Sequence, residues 1–202
     1  MYGLFDVEKQ PETLDELKDQ WKDCKRCLHA LARRNIVFWD GPEDADVMFL
    51  GQFPGRDEDR TGKVFIGKPG IVCRGAARKL AQVPEDKQFW TNVICCAPTE
   101  NMKVEYLNNC FDLLEAQIRI VKPKLIVVMG NWALRRLSRE LAMSKVVNNR
   151  GRVFTYSDLN IPCIIVTFPA AYNRQKTKDG QVKVLQEIKE DWEKVRKLYH
   201  GD

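Results

Sequence analysis

Two segments, DVMFLG (46–51) and KLIVVMG (124–130), are short, almost wholly apolar and closed by glycine. A strand with no polar face must be covered on both sides, which requires a mostly parallel sheet with helices packed on each surface. No other feature narrows the possible folds as far. The rest of the chain fits the same scheme. IVCRGAARKLAQ (71–82), VEYLNNCFDLLEAQIRIV (104–121) and NWALRRLSRELA (131–142) carry helical periodicity, and QFWTNVIC (88–95) reads as a strand. GRVFTYSDLNIPCIIVTF (151–168) reads as two strands joined by a polar turn. A last helix over about 180–199 runs through Val184, Leu185, Ile188, Trp192, Val195 and Leu198. At the other end, Leu14, Leu17, Trp21, Cys24, Leu28 and Leu31 recur at spacings of three and four and predict one amphipathic helix. No repeat or internal boundary interrupts the pattern, so residues 1–202 are expected to form a single α/β domain, a sandwich with a mostly parallel sheet.

Ligands of such sheets sit beyond the carboxyl ends of the strands. The stretch GQFPGRDEDRTGKVFIGKPG (51–70) begins at one of those ends, and Asn92 and TFPAAYNRQ (167–175) fall at others. Gly51, Gly55 and Gly62 let a backbone approach a ligand closely and turn its N–H groups towards it. The loop therefore reads as the floor of a binding site.

Charge and length bound what that site serves. Thirty-three Lys and Arg against 28 Asp and Glu leave a net charge of +5, a mild lean towards a polyanionic partner. No apolar run approaches the ~20 residues that cross a bilayer, so no membrane partner is expected. The segment MYGLFDVEKQPETLDEL has an acidic flank and no signal-peptide core, which predicts an intracellular protein with reduced thiols. The seven cysteines then need another explanation than disulfides. Cys24 and Cys27, three apart on the expected first helix, would point to one side. With Cys96 and Cys110 they could close around an iron–sulfur cluster or a tetrahedral zinc. Burial of these cysteines in the core, beside a chance C-x-x-C, is the other reading.

In this order and over roughly residues 12–198, the motifs resemble the iron–sulfur uracil-DNA glycosylases called family 4, the group related to a phage DNA polymerase. GQFPGRDEDRTGKVFIGKPG is similar to that family's GEAPGEEEDRTGRPFVGRAG, TNVICC with Cys110 to its TNVVKC and a cysteine some fourteen residues later, and KPKLIVVMG to its RPKVIVALG. The resemblance implies a three-layer α/β/α sandwich around a short, mostly parallel four-stranded sheet. It also implies a 4Fe–4S cluster held by Cys24, Cys27, Cys96 and Cys110, structural and without a redox step. Zinc is the alternative occupant. Cys73 and Cys163, in apolar runs, are expected in the core.

The implied activity is cleavage of the N-glycosidic bond of uracil or a related base in DNA, the first step of base excision. The expected enzyme is monofunctional, a monomer of the cytoplasm of a bacterium or a phage-infected cell. Such an enzyme flips its base out of the helix and parts it from the sugar as an anion, leaving an oxocarbenium-like sugar. By the resemblance Phe65 stacks on the base, although a core Phe is the plainer reading. Asn92 pairs with the base edge, its amide offering both a donor and an acceptor, and Glu58 assists catalysis. Gly51 and Phe53 border the base. Lys63, Lys68, Arg150, Tyr172, Asn173 and Arg174 meet the DNA, with Tyr172 or Asn173 in place of the family's wedging leucine.

Two departures weaken the match at its chemical centre. Gln52 stands where the family has glutamate, and Phe53 follows it, a residue that can activate no water. The late motif HPAYLLR becomes FPAAYNR, so Phe168 replaces the histidine that stabilises the uracil anion. Losing that donor is worth about 3–4 kcal/mol, or ~10²–10³ in rate. A changed target base, a non-catalytic DNA-binding module and a glycosylase-like transferase that modifies bases are the alternatives this opens.

Overall fold

The structure is a computed structural model and describes residues 10–156 and 159–202. In chain order its strands are β1 (Val47–Gly51), β2 (Gln88–Asn92), β3 (Leu125–Met129), β4 (Val153–Tyr156) and β5 (Ile161–Val166). Its helices are α1 (Leu14–Trp21), α2 (Arg56–Thr61), α3 (Lys68–Lys79), α4 (Val104–Asn109), α5 (Phe111–Val121), α6 (Asn131–Leu137), α7 (Val146–Asn149), α8 (Ala170–Asn173) and α9 (Lys178–His200). The strands form one sheet in the order β2-β1-β3-β5-β4. Every pairing is parallel except β4 with β5. The expected count of four strands is corrected to five, because both strands of 151–168 enter the sheet, the first as an antiparallel edge.

β1, β2 and β3 are buried at every position, as their composition requires. The two-residue period of a strand divides them between two cores. Met48, Leu50, Phe89, Ile126, Val128, Cys163 and Ile165 face α1, α5 and α6. Val47, Phe49, Trp90, Val127, Ile164 and Val166 face α3 and α9, where Phe49 stacks on Trp90 at 4.1 Å and on Trp192 at 5.7 Å. Fully burying each such side chain contributes about 1.5–3 kcal/mol. The chain thus forms three layers, and Cys73 and Cys163 lie fully buried within them.

Expected helices end early, two of them beside cysteines. The first ends at Trp21, so the C-x-x-C lies in the turn that follows it and not on a helical face. Leu28 and Leu31 begin and end a short 3₁₀ turn and are exposed, against the amphipathic pattern. Arg26 holds this turn by stacking on Trp21 at 4.2 Å and pairing with Asp112 at 3.1 Å. The run 104–121 breaks at Cys110, the junction between α4 and α5. The helix expected over 131–142 stops at Leu137.

The chain passes from β1 outward to β2 and returns past β1 to β3, so the direction of winding reverses between β1 and β3. That reversal opens a crevice at the carboxyl ends of the strands.

Candidate active site

A cavity of about 450 Å³ occupies this crevice. Gly51, Asn92 and Met129 reach it from the ends of β1, β2 and β3, and Phe168 from just past β5. The segment that follows β1 supplies the remaining wall, from Gln52 through Glu58 and again at Phe65 and 67–70. The glycine-rich stretch is therefore the floor and side of a pocket, as its position after the first strand predicts.

Asn92 is only 5% exposed and lines the cavity from the end of β2. Gly51 lies against its amide, because a Cβ at residue 51 would stand 2.7 Å from Phe65 Cζ and closer still to Asn92 Oδ1. Phe65 is also 5% exposed, and its ring meets Trp90 at 5.0 Å and stands perpendicular to Phe168 at 6.4 Å. It is thus a core residue on one side and a pocket wall on the other. Phe53, half-buried, borders this cavity and a more open groove of about 570 Å³ beside it.

Two carboxylates line the pocket, and their surroundings differ. Glu58 is the third residue of α2 and is 9% exposed. Its Oε2 accepts the Gly55 N–H at 3.1 Å and its Oε1 accepts the Gly67 N–H at 2.8 Å. Asp57 is exposed and stands 3.8 Å from Arg60. Asp59 points elsewhere, accepting the N–H of Arg34 at 3.0 Å. Gln52 lines the cavity while its Oε1 accepts the Trp132 N–H at 3.1 Å, tying β1 to the start of α6. Gly62 is absent from the pocket lining; it ends α2 in the left-handed conformation, its N–H on Glu58 O.

The basic residues divide. Lys63 and Arg174 are exposed, and Lys68, exposed at the start of α3, borders the cavity. Tyr172 is half-buried against the core that faces α9; the Asn173 side chain lies outside the described residues. Arg150, expected to meet the DNA, is engaged in ion pairs within the protein. Its guanidinium donates to Asp191 at 2.9 Å and to Glu190 at 2.7 Å, and it stands 3.9 Å from Glu187. Asp191 is wholly buried and also accepts the Thr167 N–H at 2.8 Å, so Arg150 neutralises a charge that pins the end of β5. Burial opposes the Arg150 charge, but the facing carboxylates outweigh it and raise its pKa.

The four cysteines share one neighbourhood. Burial pushes the Cys96 thiol up to about 11 and the Cys110 thiol to about 12, and Cys24 and Cys27 add to both shifts. Arg33 opposes the shift at Cys96, donating to its Sγ at 3.4 Å while its other amino group donates to Cys24 O at 2.5 Å. Cys95 is buried and its thiol is raised well above the usual range. Among the described residues no group of three or more His, Cys, Asp or Glu stands at metal-holding spacing. No helix among them is long and apolar enough to cross a membrane.

Sequence reasoning missed Met129, whose only signal was its place at a strand end, and Arg74, which lies behind the pocket.

The chain is similar to known proteins over most of its length. The family model described as the uracil DNA glycosylase superfamily matches residues 38–196. A type-4 uracil-DNA glycosylase of Sulfurisphaera tokodaii is 29% identical over 193 residues, 93% of this chain and 85% of that protein. One from Saccharolobus solfataricus is 26% identical over 92% of this chain and 86% of its own. Another, from Thermotoga maritima, is 32% identical over 68% of this chain and 73% of its own. The match spans the sheet, the pocket-forming segment and the helix that carries Asp191, and on it the chain belongs to the uracil DNA glycosylase superfamily.

Proposed function

We propose that the protein is a monofunctional DNA glycosylase that releases uracil or a closely related base from DNA. The observation that carries this reading is the placing of Asn92, 5% exposed at a strand end, in the wall of a cavity that Phe65 and Phe168 also line. A pyrimidine edge presents the complementary donor and acceptor, and the Phe65 ring gives its face a place to stack. DNA enters as substrate through its phosphates at Lys63, Lys68 and Arg174.

Cleavage needs the base held, the leaving anion eased and the sugar cation met by negative charge. Phe65 holds the base face, and Asn92 reads its edge. Gln52, whose Oε1 is occupied by Trp132, offers its remaining amide N–H to the base. The Glu58 carboxylate, fixed by two glycine N–H groups, faces the sugar with its charge, and exposed Asp57 can hold the attacking water. Phe168 supplies shape and no donor, so anion stabilisation is weaker than a histidine there would give. That same substitution favours the second reading, a DNA-binding module that stacks a base without releasing it.

We further propose that Cys24, Cys27, Cys96 and Cys110 hold a 4Fe–4S cluster. The reading rests on donor chemistry and not on present spacing: four thiols lie near one another, one of them receiving a guanidinium N–H, and thiolates are the ligands such clusters take. When bound it supplies no step of the reaction; it fastens the turn after α1 to the β2–α4 connection and to α5. Zinc would satisfy the same ligands, and iron and sulfide analysis separates the two.

The test of function is incubation with oligonucleotides bearing uracil, hypoxanthine or 5-hydroxymethyluracil, followed by alkali to cut abasic sites. Strand cleavage after alkali, and none without it, is the expected result. Tight binding with no cleavage of any of the three favours the binding module.

A further inference from the structure

Phe65 has φ +54°, a left-handed backbone conformation that a bulky side chain adopts only when its surroundings enforce it. The neighbours that enforce it are visible. Gly70 fits beneath it only because it has no side chain: a Cβ there would lie 2.5 Å from Phe65 C and 2.6 Å from its Cα. From behind, Arg74 of α3 reaches the two carbonyls around the strained residue. Its Nε donates to Phe65 O at 3.3 Å and its Nη2 to Val64 O at 3.0 Å.

Arg74 is itself held on a rigid frame. Its Nη2 also donates to Asp40 at 2.7 Å, and its guanidinium lies 4.9 Å from the Trp90 ring, the ring on which Phe65 packs. Asp40 and Trp90 are joined by reciprocal backbone hydrogen bonds of 2.7 and 3.0 Å. The arginine therefore connects the strained loop to the edge of the sheet through a fork of donors, a geometry that a lysine ammonium cannot reproduce. Arg74 does not line the cavity.

We infer that Arg74 is a positioning residue for the reaction: by fixing the Val64 and Phe65 carbonyls it holds the Phe65 ring in the pose that stacks on the extruded base. This rests on the glycosylase reading for its consequence, but not for the hold itself. A ring that wanders within its pocket loses the alignment of the base with the catalytic groups, while the phosphate contacts that dominate DNA affinity stay in place. Arg74→Ala should lower kcat for base release about tenfold or more with KM nearly unchanged, and Arg74→Lys should recover part of the loss.

The deciding experiment pairs two readouts on wild type, Arg74→Ala and Arg74→Lys. Amide hydrogen exchange over residues 63–67 should quicken about tenfold in Arg74→Ala, with β3 and α9 unchanged. Single-turnover and steady-state assays on uracil-bearing duplex DNA should show the kcat loss and the partial rescue. Unchanged local exchange, a uniform rise across the sheet, or a loss expressed in KM alone overturns the inference. Wild type that releases no base overturns the glycosylase reading instead, and the exchange comparison then decides whether Arg74 holds Phe65. Where Arg74→Ala does not fold, Arg74→Lys carries both readouts, with the local exchange rise still required.

Discussion

Glu58 and Gly67 are joined by a 2.8 Å hydrogen bond from the glycine N–H to one carboxylate oxygen, while the other oxygen accepts the Gly55 N–H. One side chain thus fastens both ends of the loop that walls the pocket. Glu58→Gln keeps one acceptor and sets an NH₂ against the other N–H. It should cost about 2 kcal/mol, read as a lower midpoint in urea denaturation, together with lost base release and nearly intact DNA affinity. Unchanged stability would show that the loop keeps its shape without the staple.

Arg150 should behave as a core residue and not as a DNA ligand. Arg150→Ala leaves the buried Asp191 charge uncompensated, which costs about 3–5 kcal/mol. The slope of log affinity against log salt on duplex DNA should stay as in wild type. Lys68→Ala and Arg174→Ala should each reduce that slope by about 0.9 with little loss of stability. A salt titration across the three variants checks the division.

At residue 51 there is no room for a methyl group. Gly51→Ala pushes on the Asn92 amide and the Phe65 ring together, the two groups proposed to hold the base. The expected loss is about 100-fold in base release for an overpacking cost of ~1–3 kcal/mol. Single-turnover kinetics beside thermal denaturation separates the two effects.

Phe168 lines the cavity with its ring perpendicular to that of Phe65 and brings no hydrogen-bond donor. Phe168→His puts a donor where negative charge develops on the leaving base. Uracil release should rise about tenfold, less than a fully tuned donor gives because the neighbours are apolar. No rise in a folded variant would mean that residue 168 does not approach the anion.

What the sequence made legible follows from where burial is two-sided. The runs at 46–51 and 124–130 have no polar face, so strand, parallel pairing and the place of the pocket could be read from them directly. Cysteines obscured the helices: they count as apolar and extend a three-four spacing past Trp21 and through Asn109, although the chain turns at both places. Arg150 looked like a loop cation because its partner Asp191 lies 41 residues away on α9. The roles proposed for Asn92 and Phe65 come from motif resemblance, since an asparagine or a phenylalanine at a strand end or in a loop carries no chemical signal alone. Glu58 was visible as a carboxylate, but its two glycine partners depend on α2, a one-and-a-half-turn helix that charge and glycine content conceal. Arg74 left no trace, because the carbonyls it binds are common to every residue.

The most direct test is the single-turnover release of uracil from a defined duplex by wild type and by Asn92→Ala. The Asn92 amide is the polar group at the pocket base on which base recognition depends in this account. Measurable release by wild type, with a fall of about 100-fold or more in Asn92→Ala at unchanged DNA affinity, is the predicted result. Equal rates in the two proteins, or no release by wild type alongside tight binding, would contradict it.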